Sequence, residues 1–238
     1  LLTTDVEVLR EIVSPSIEYC NRLKVDDEAF LKYLKAAVSA RYSINGVLVD
    51  LYRWNDEFRY LEWFKNKKKA KINELKDKRL KLGKLFQYGD NLVICGNPVA
   101  MLMAVTGQSY MNENCFRQFD DRIQCCTSRF PEGERLAGFR SPHNSPNNIV
   151  YLENVYPEAV RKYFPDLGDN VIIINGIQTD VQSRLNGQDL DTDSIYATNE
   201  KNIVELAEKA YREYPTIIND IKYGTNEYDK SMKSYSMM

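Results

Sequence analysis

With 238 residues, 43% of them hydrophobic, 28% charged and a net charge of −2, the chain has the makeup of a globular protein with a sizeable core. No apolar run reaches the roughly 20 residues a membrane span needs, which excludes one, and the near-zero net charge hides a local basic stretch. The first residue is Leu rather than Met, so the chain is expected to be a piece of a longer one.

The first third carries helical spacing. Leu31, Leu34 and Val38 recur on one face after Asp26-Asp27, which can cap a start. From Val47 to about Leu80 the pattern stays helix-compatible without Pro or Gly, until Gly83 ends it. Its first half is aromatic (Tyr52, Trp54, Phe58, Tyr60, Trp63, Phe64), a pattern of core packing. Its second half is basic, with ten Lys and Arg between Lys65 and Lys84 against Glu74 and Asp77. Such a run is a solvated helix face or the lining of a nucleic-acid channel. After Gly83 short apolar runs alternate with turn residues. The expected strands are Lys84–Tyr88, Leu92–Cys95, Ile123–Cys126, Leu136–Phe139, Ile149–Leu152, Val171–Ile174 and Ser194–Ala197. Helical inserts are expected near Tyr156–Phe164 and Thr179–Leu185. An amphipathic helix from Glu200 to about Tyr214 places Ile203, Leu206, Ala207 and Ala210 on one face, and a frayed polar tail follows Lys222. Many short strands of this kind point to a small barrel or sandwich.

The chemistry concentrates in Asn186-Gly187-Gln188-Asp189-Leu190-Asp191-Thr192-Asp193-Ser194. Three carboxylates at alternate positions repel one another unless a positive charge sits among them, and a hard divalent cation with oxygen ligands meets that need. Three identities are open. An EF-hand loop would use Asp189, Asp191, Asp193 and Glu200 as its first, third, fifth and twelfth positions, but the glycine of its sixth position is Ser194. An aspartyl phosphatase would lead a hydrophobic strand directly into the first Asp, and Arg184-Leu185-Asn186-Gly187-Gln188 is no such strand. A nucleotidyl transferase uses clustered carboxylates to hold Mg²⁺ at a reacting hydroxyl and phosphate.

Other residues narrow the field. His143 is the only histidine, which argues against a Ser-His-Asp hydrolase and a histidine-rich zinc site. Five cysteines without zinc spacing suit a reduced, cytoplasmic protein. Arg140, in Gly138-Phe139-Arg140-Ser141-Pro142-His143, ends a strand where a guanidinium can fork onto phosphate or a ribose hydroxyl, although taken alone such an arginine more often forms a surface ion pair.

Three segments in this order resemble the catalytic double-psi β-barrel of the β′ subunit of multisubunit RNA polymerases and of its single-chain relatives, among them silencing RNA-dependent RNA polymerases and phage-type enzymes. The family's opening G-K-x-x-x-Y-x-x-x-x-V-I-x-x-x-P is matched by Gly83, Lys84, Tyr88, Val93, Ile94 and Pro98. Its R-x-P element is matched by Arg140 and Pro142, and its D-x-D-G-D loop by Asp189, Asp191 and Asp193, with Thr192 replacing the glycine.

The resemblance covers roughly Gly83 to Thr198, half of the chain, and implies a double-psi β-barrel catalytic domain over 83–198. With the helical region and its basic helix over 1–82, and the C-terminal helix and tail over 199–238, the expected fold is α+β. The resemblance also implies that Asp189, Asp191 and Asp193 are catalytic and bind Mg²⁺, and that Arg140 and Pro142 bind substrate near the ribose. The implied partners are nucleoside triphosphates, an RNA or DNA template, and a second barrel, in the same longer chain, that adds basic residues to the triphosphate site. Alone, the piece is expected to be inactive. A non-catalytic calcium- or nucleic-acid-binding module that keeps the barrel is the competing expectation.

Overall fold

The computed structural model describes residues 3–37 and 43–217. Val38 and the tail beyond Lys222 lie outside the described residues. Four helices come first: α1 (Val6–Val25), α2 (Asp27–Ala36), α3 (Ile44–Trp54) and α4 (Glu62–Lys78). Asp26 joins the first two. Its backbone N–H closes α1 on the Arg22 carbonyl at 2.8 Å, and its carboxylate caps α2 by accepting from the Ala29 N–H at 2.9 Å. The capping and the Arg22 guanidinium hold this carboxyl below its usual range.

The helix expected from Val47 to Leu80 is broken in two. The Asn55 side chain accepts from the Glu57 N–H at 3.0 Å, so a 3₁₀ turn over Asp56–Tyr60 replaces the helix there. The aromatics divide accordingly. Tyr52 and Phe64 are buried with Leu23, Phe30, Leu34 and Leu48, while Trp54 and Tyr60 face solvent. Gly83, at φ +74°, terminates the last turn as expected.

Six strands follow: β1 (Asp90–Cys95), β2 (Ile123–Cys126), β3 (Arg135–Phe139), β4 (Ile149–Asn154), β5 (Val171–Ile174) and β6 (Ser194–Thr198). They close into a barrel in the order β1-β5-β2-β4-β3-β6. Between them lie α5 (Pro98–Val105), α6 (Glu158–Tyr163) and α7 (Val181–Arg184), and α8 (Lys201–Glu213) follows. The strand expected at Lys84–Tyr88 does not form. The Ser16 hydroxyl accepts from the Phe86 N–H at 2.8 Å, and the Phe86 ring meets Tyr19 edge-on, so α1 captures this backbone before it can join the barrel.

The pairing maps onto itself. Parallel β1·β5 is mirrored by parallel β4·β2, and antiparallel β1·β6 by antiparallel β4·β3. The remaining pairings, β2·β5 and β3·β6, are antiparallel and each maps onto itself. Alternate residues of each strand point inward, giving an interior of Leu92, Ile94, Leu136, Val150, Ile172 and Ile195 among others. Each such side chain contributes about 1.5–3 kcal/mol on burial. Gly138 takes an inward position because a Cβ there would stand 2.5 Å from Ile195 Cδ1 and 2.6 Å from Val150 Cγ2. Helix α8 covers β3 and β4 with Ala207 and Ala210, which pack on Ala137 and Ile149. Among the described residues no helix is long and apolar enough to cross a membrane, and all five cysteines are free.

Candidate metal and nucleotide site

The barrel presents the acidic loop between α7 and β6. Ladder bonding continues one residue beyond β6, where the Asp193 carbonyl accepts from the Ile94 N–H at 2.8 Å. The Asp193 carboxylate closes the loop by accepting from the Asp189 N–H at 3.0 Å. Thr192 makes the reversal at φ +97°, a region that a β-branched residue occupies only under strain. The loop gathers Asp189, Asp191 and Asp193 so that one oxygen from each lies within 4.8 Å of the others. Hard oxygen donors at this spacing could hold a divalent cation.

Arg140, at the end of β3, fixes the loop from outside. One terminal nitrogen donates to the carbonyls of Leu185 and Asn186 at 3.0 and 3.2 Å, and the other pairs with Asp193 at 2.7 Å. Its Nε is buried with no bonded partner among the described residues. Arg140 thus turns onto the aspartate loop as a clamp. Pro142 sits on the exposed rim, where its carbonyl accepts from the Asn186 side chain at 3.5 Å.

These interactions set Asp191 and Asp193 apart electrostatically. Arg140 and the Asp189 N–H hold the Asp193 carboxyl below the usual range, whereas the adjacent Asp189 carboxylate raises that of Asp191. Asp193 therefore stabilises the fold above its unfolded value, and that contribution is lost as pH falls through the lowered one. Asp191 runs the other way. Its folded form favours the proton, so a cation binding there must displace it. We expect Mn²⁺ binding to weaken as pH falls through the raised Asp191 value, and to release protons only in that acidic range. Calorimetric titration in buffers of different ionisation enthalpy measures both.

A cleft of 410 Å³ opens beside the clamp. Asn91 and Tyr196, paired across β1 and β6, line it with Ser141 and His143, and His143 packs edge-on against Phe139. Sequence spacing places His143 on a loop but gives no signal for Asn91 and Tyr196, which only the strand register brings to the cleft. Glu200 lies beyond the far end of β6, where it accepts from the Tyr88 N–H at 3.3 Å. A strand therefore stands between the triplet and the residue an EF-hand would need as its twelfth ligand. The segment leading into Asp189 is the short helix α7 and a turn, unlike the strand a phosphatase nucleophile requires.

Relief of the Thr192 strain is measurable. Glycine there removes roughly 1–3 kcal/mol of strain and adds about 0.5–1 kcal/mol of unfolded-chain entropy. Thr192→Gly is expected to stabilise the chain by about 1 kcal/mol in urea unfolding.

No family model and no curated protein sequence matches the chain. Among solved structures it is similar to the RNA-dependent RNA polymerase QDE-1 from Thielavia terrestris, with a TM-score of 0.52 and 12% identity. The likeness covers 84% of this chain and 24% of that one, so the chain spans about a quarter of that polymerase's length. The closed barrel of six mixed strands and this likeness together bear out the expected double-psi β-barrel fold.

Proposed function

We propose that this chain is the catalytic-barrel portion of a single-chain RNA polymerase, transferring nucleotides from nucleoside triphosphates to an RNA 3′-hydroxyl. The observation that carries the reading is the convergence of Asp189, Asp191 and Asp193 on a loop clamped by Arg140, in a barrel of polymerase fold. The donor set, three carboxylates and no nitrogen or sulfur, fits Mg²⁺. Magnesium, when bound, supplies positive charge that eases loss of the hydroxyl proton and offsets charge growing on pyrophosphate. The chain's own part is to hold the three carboxylates in register through Arg140 and the Asp189 N–H, and to line the cleft where a ribose enters beside Arg140 and Pro142.

In this reading residues 1–82 form a helical region, 83–198 the catalytic barrel and 199–238 a C-terminal helix and tail. A second barrel supplies cations to the triphosphate, an RNA or DNA strand serves as template, and the enzyme is cytoplasmic. Mg²⁺-dependent incorporation of labelled nucleotide by the complete enzyme, with none by residues 1–238 alone, tests this. Submicromolar Ca²⁺ binding that Mg²⁺ does not displace would instead support a non-catalytic calcium module.

A further inference from the structure

The helical region carries a groove that the acidic loop does not explain. It has a volume of 630 Å³ and lies between α1, α2 and the end of α4. Five cations line it: Lys32, Lys71, Lys78, Arg79 and Lys84, against the single carboxylate of Glu74. Glu74 is shared between Lys71 and Lys78, each at 3.3 Å. Lys32, Arg79 and Lys84 have no carboxylate within 4.0 Å among the described residues. Like charges gathered this way repel, and a bound polyanion removes the repulsion while releasing its own counterions. Between the cations stand the half-buried rings of Tyr19, Tyr33 and Phe86.

The groove leads somewhere. A second cavity of 540 Å³ shares Lys84 and Phe86 with it and is walled on its other side by Tyr196. Tyr196 also lines the 410 Å³ cleft that holds Arg140 and Asp193. The common wall is held firmly. Gly83 turns the chain out of the last helical turn, and Ser16 both accepts from the Phe86 N–H and donates to the Phe86 carbonyl at 3.2 Å. Three cavities thus run in series from the basic groove to the acidic loop, with Lys84 and Tyr196 at the junctions.

We propose that this path binds a single strand of nucleic acid, its phosphates on the five cations and its bases against the rings, with one end delivered to the aspartate cleft. The assignment of that end rests on the polymerase reading; binding in the groove does not. Single-stranded chemistry is favoured because a duplex hides the base faces that aromatic walls engage.

The test is fluorescence anisotropy of a labelled oligouridylate with the chain, without divalent cation, over a range of salt. In Lys32→Glu/Arg79→Glu/Lys84→Glu we expect affinity to fall at least tenfold, the salt slope to shrink by about 0.7 for each phosphate no longer neutralised, and the melting temperature to hold. Tyr33→Ala is expected to weaken binding by roughly 5–100-fold. Unchanged binding in the triple variant, equal affinity for a duplex of the same length, or equal competition by polyglutamate would each overturn the proposal, the last pointing to an acidic protein partner. Mn²⁺ titration of the same samples separates the two readings. A chain that takes up Mn²⁺ but fails to bind oligonucleotide sinks the groove alone, and one that binds oligonucleotide but fails to take up Mn²⁺ sinks the metal loop alone.

Discussion

Asp191→Asn is expected to abolish Mn²⁺ binding by the chain and to lower nucleotide incorporation by the complete enzyme by about 10²–10³-fold or more, the loss typical when one preorganised charge at a reacting centre is removed. The fold gives this variant a second, opposite signature. The Asp189 carboxylate beside Asp191 raises its pKa, so the ionised side chain is a source of repulsion in the metal-free loop. Asp191 is also exposed. The amide should therefore leave the melting temperature equal to or above that of the parent at pH 7. Loss of metal binding together with loss of stability would mean that Asp191 holds the loop rather than a cation. Undiminished incorporation would remove the metal assignment.

The second large effect is expected at Arg184, five residues before the first aspartate. Its guanidinium is buried, stacked 4.2 Å from the centre of the Tyr211 ring. It donates to the carbonyls of Asn147 and Ile149 on one side and of Tyr211 and Tyr214 on the other, at 3.0–3.4 Å. One side chain thus joins the start of β4, the end of α8 and the approach to the acidic loop. Arg184→Ala strips buried carbonyls of their donor and is expected to cost about 3–5 kcal/mol in denaturant unfolding. Lysine, with a single compact ammonium, cannot reach four carbonyls in one plane and should rescue little. Hydrogen exchange in α8 should accelerate along with the stability loss. A cost below about 1 kcal/mol would show that the strand ladder holds α8 without this arginine.

Much of the barrel is legible in the sequence because its strands are short apolar runs between turn residues. Ile123–Cys126 and Val171–Ile174 coincide with β2 and β5. Where local pattern misleads, a competing interaction has won. Lys84–Tyr88 looks like a strand, yet Ser16, 70 residues away, takes the Phe86 backbone. Helix α5 is hidden because Gly96-Asn97-Pro98 also spells a turn. In fact Pro98 opens the helix, and Asn97 caps it through the Val99 and Ala100 N–H groups at 3.0 and 3.2 Å. The acidic triplet is local, so spacing alone exposes it. Asn91 and Tyr196 reach the cleft through pairing distant in sequence, which no local pattern encodes. Arg140 stands out at its strand end, but its orientation toward the Leu185 and Asn186 carbonyls does not, because that depends on where α7 ends.

The self-mapping of the strand ladder has a consequence for where chemistry resides. Ile94 pairs with Ile172 and donates to the Asp193 carbonyl at 2.8 Å, and Asn154 pairs with Cys125 and donates to the Glu134 carbonyl at 2.9 Å. In hydrogen bonding Asp193 therefore corresponds to Glu134. The acidic corner has a twin at Pro131–Arg135, where the Glu134 carboxylate accepts from the Asn199 side chain at 2.7 Å instead of facing two further aspartates. The barrel offers two corners of one design and leaves three neighbouring carboxylates at only one of them. What distinguishes this molecule is thus a departure from its own symmetry, written in the few side chains that the shared backbone leaves free to differ.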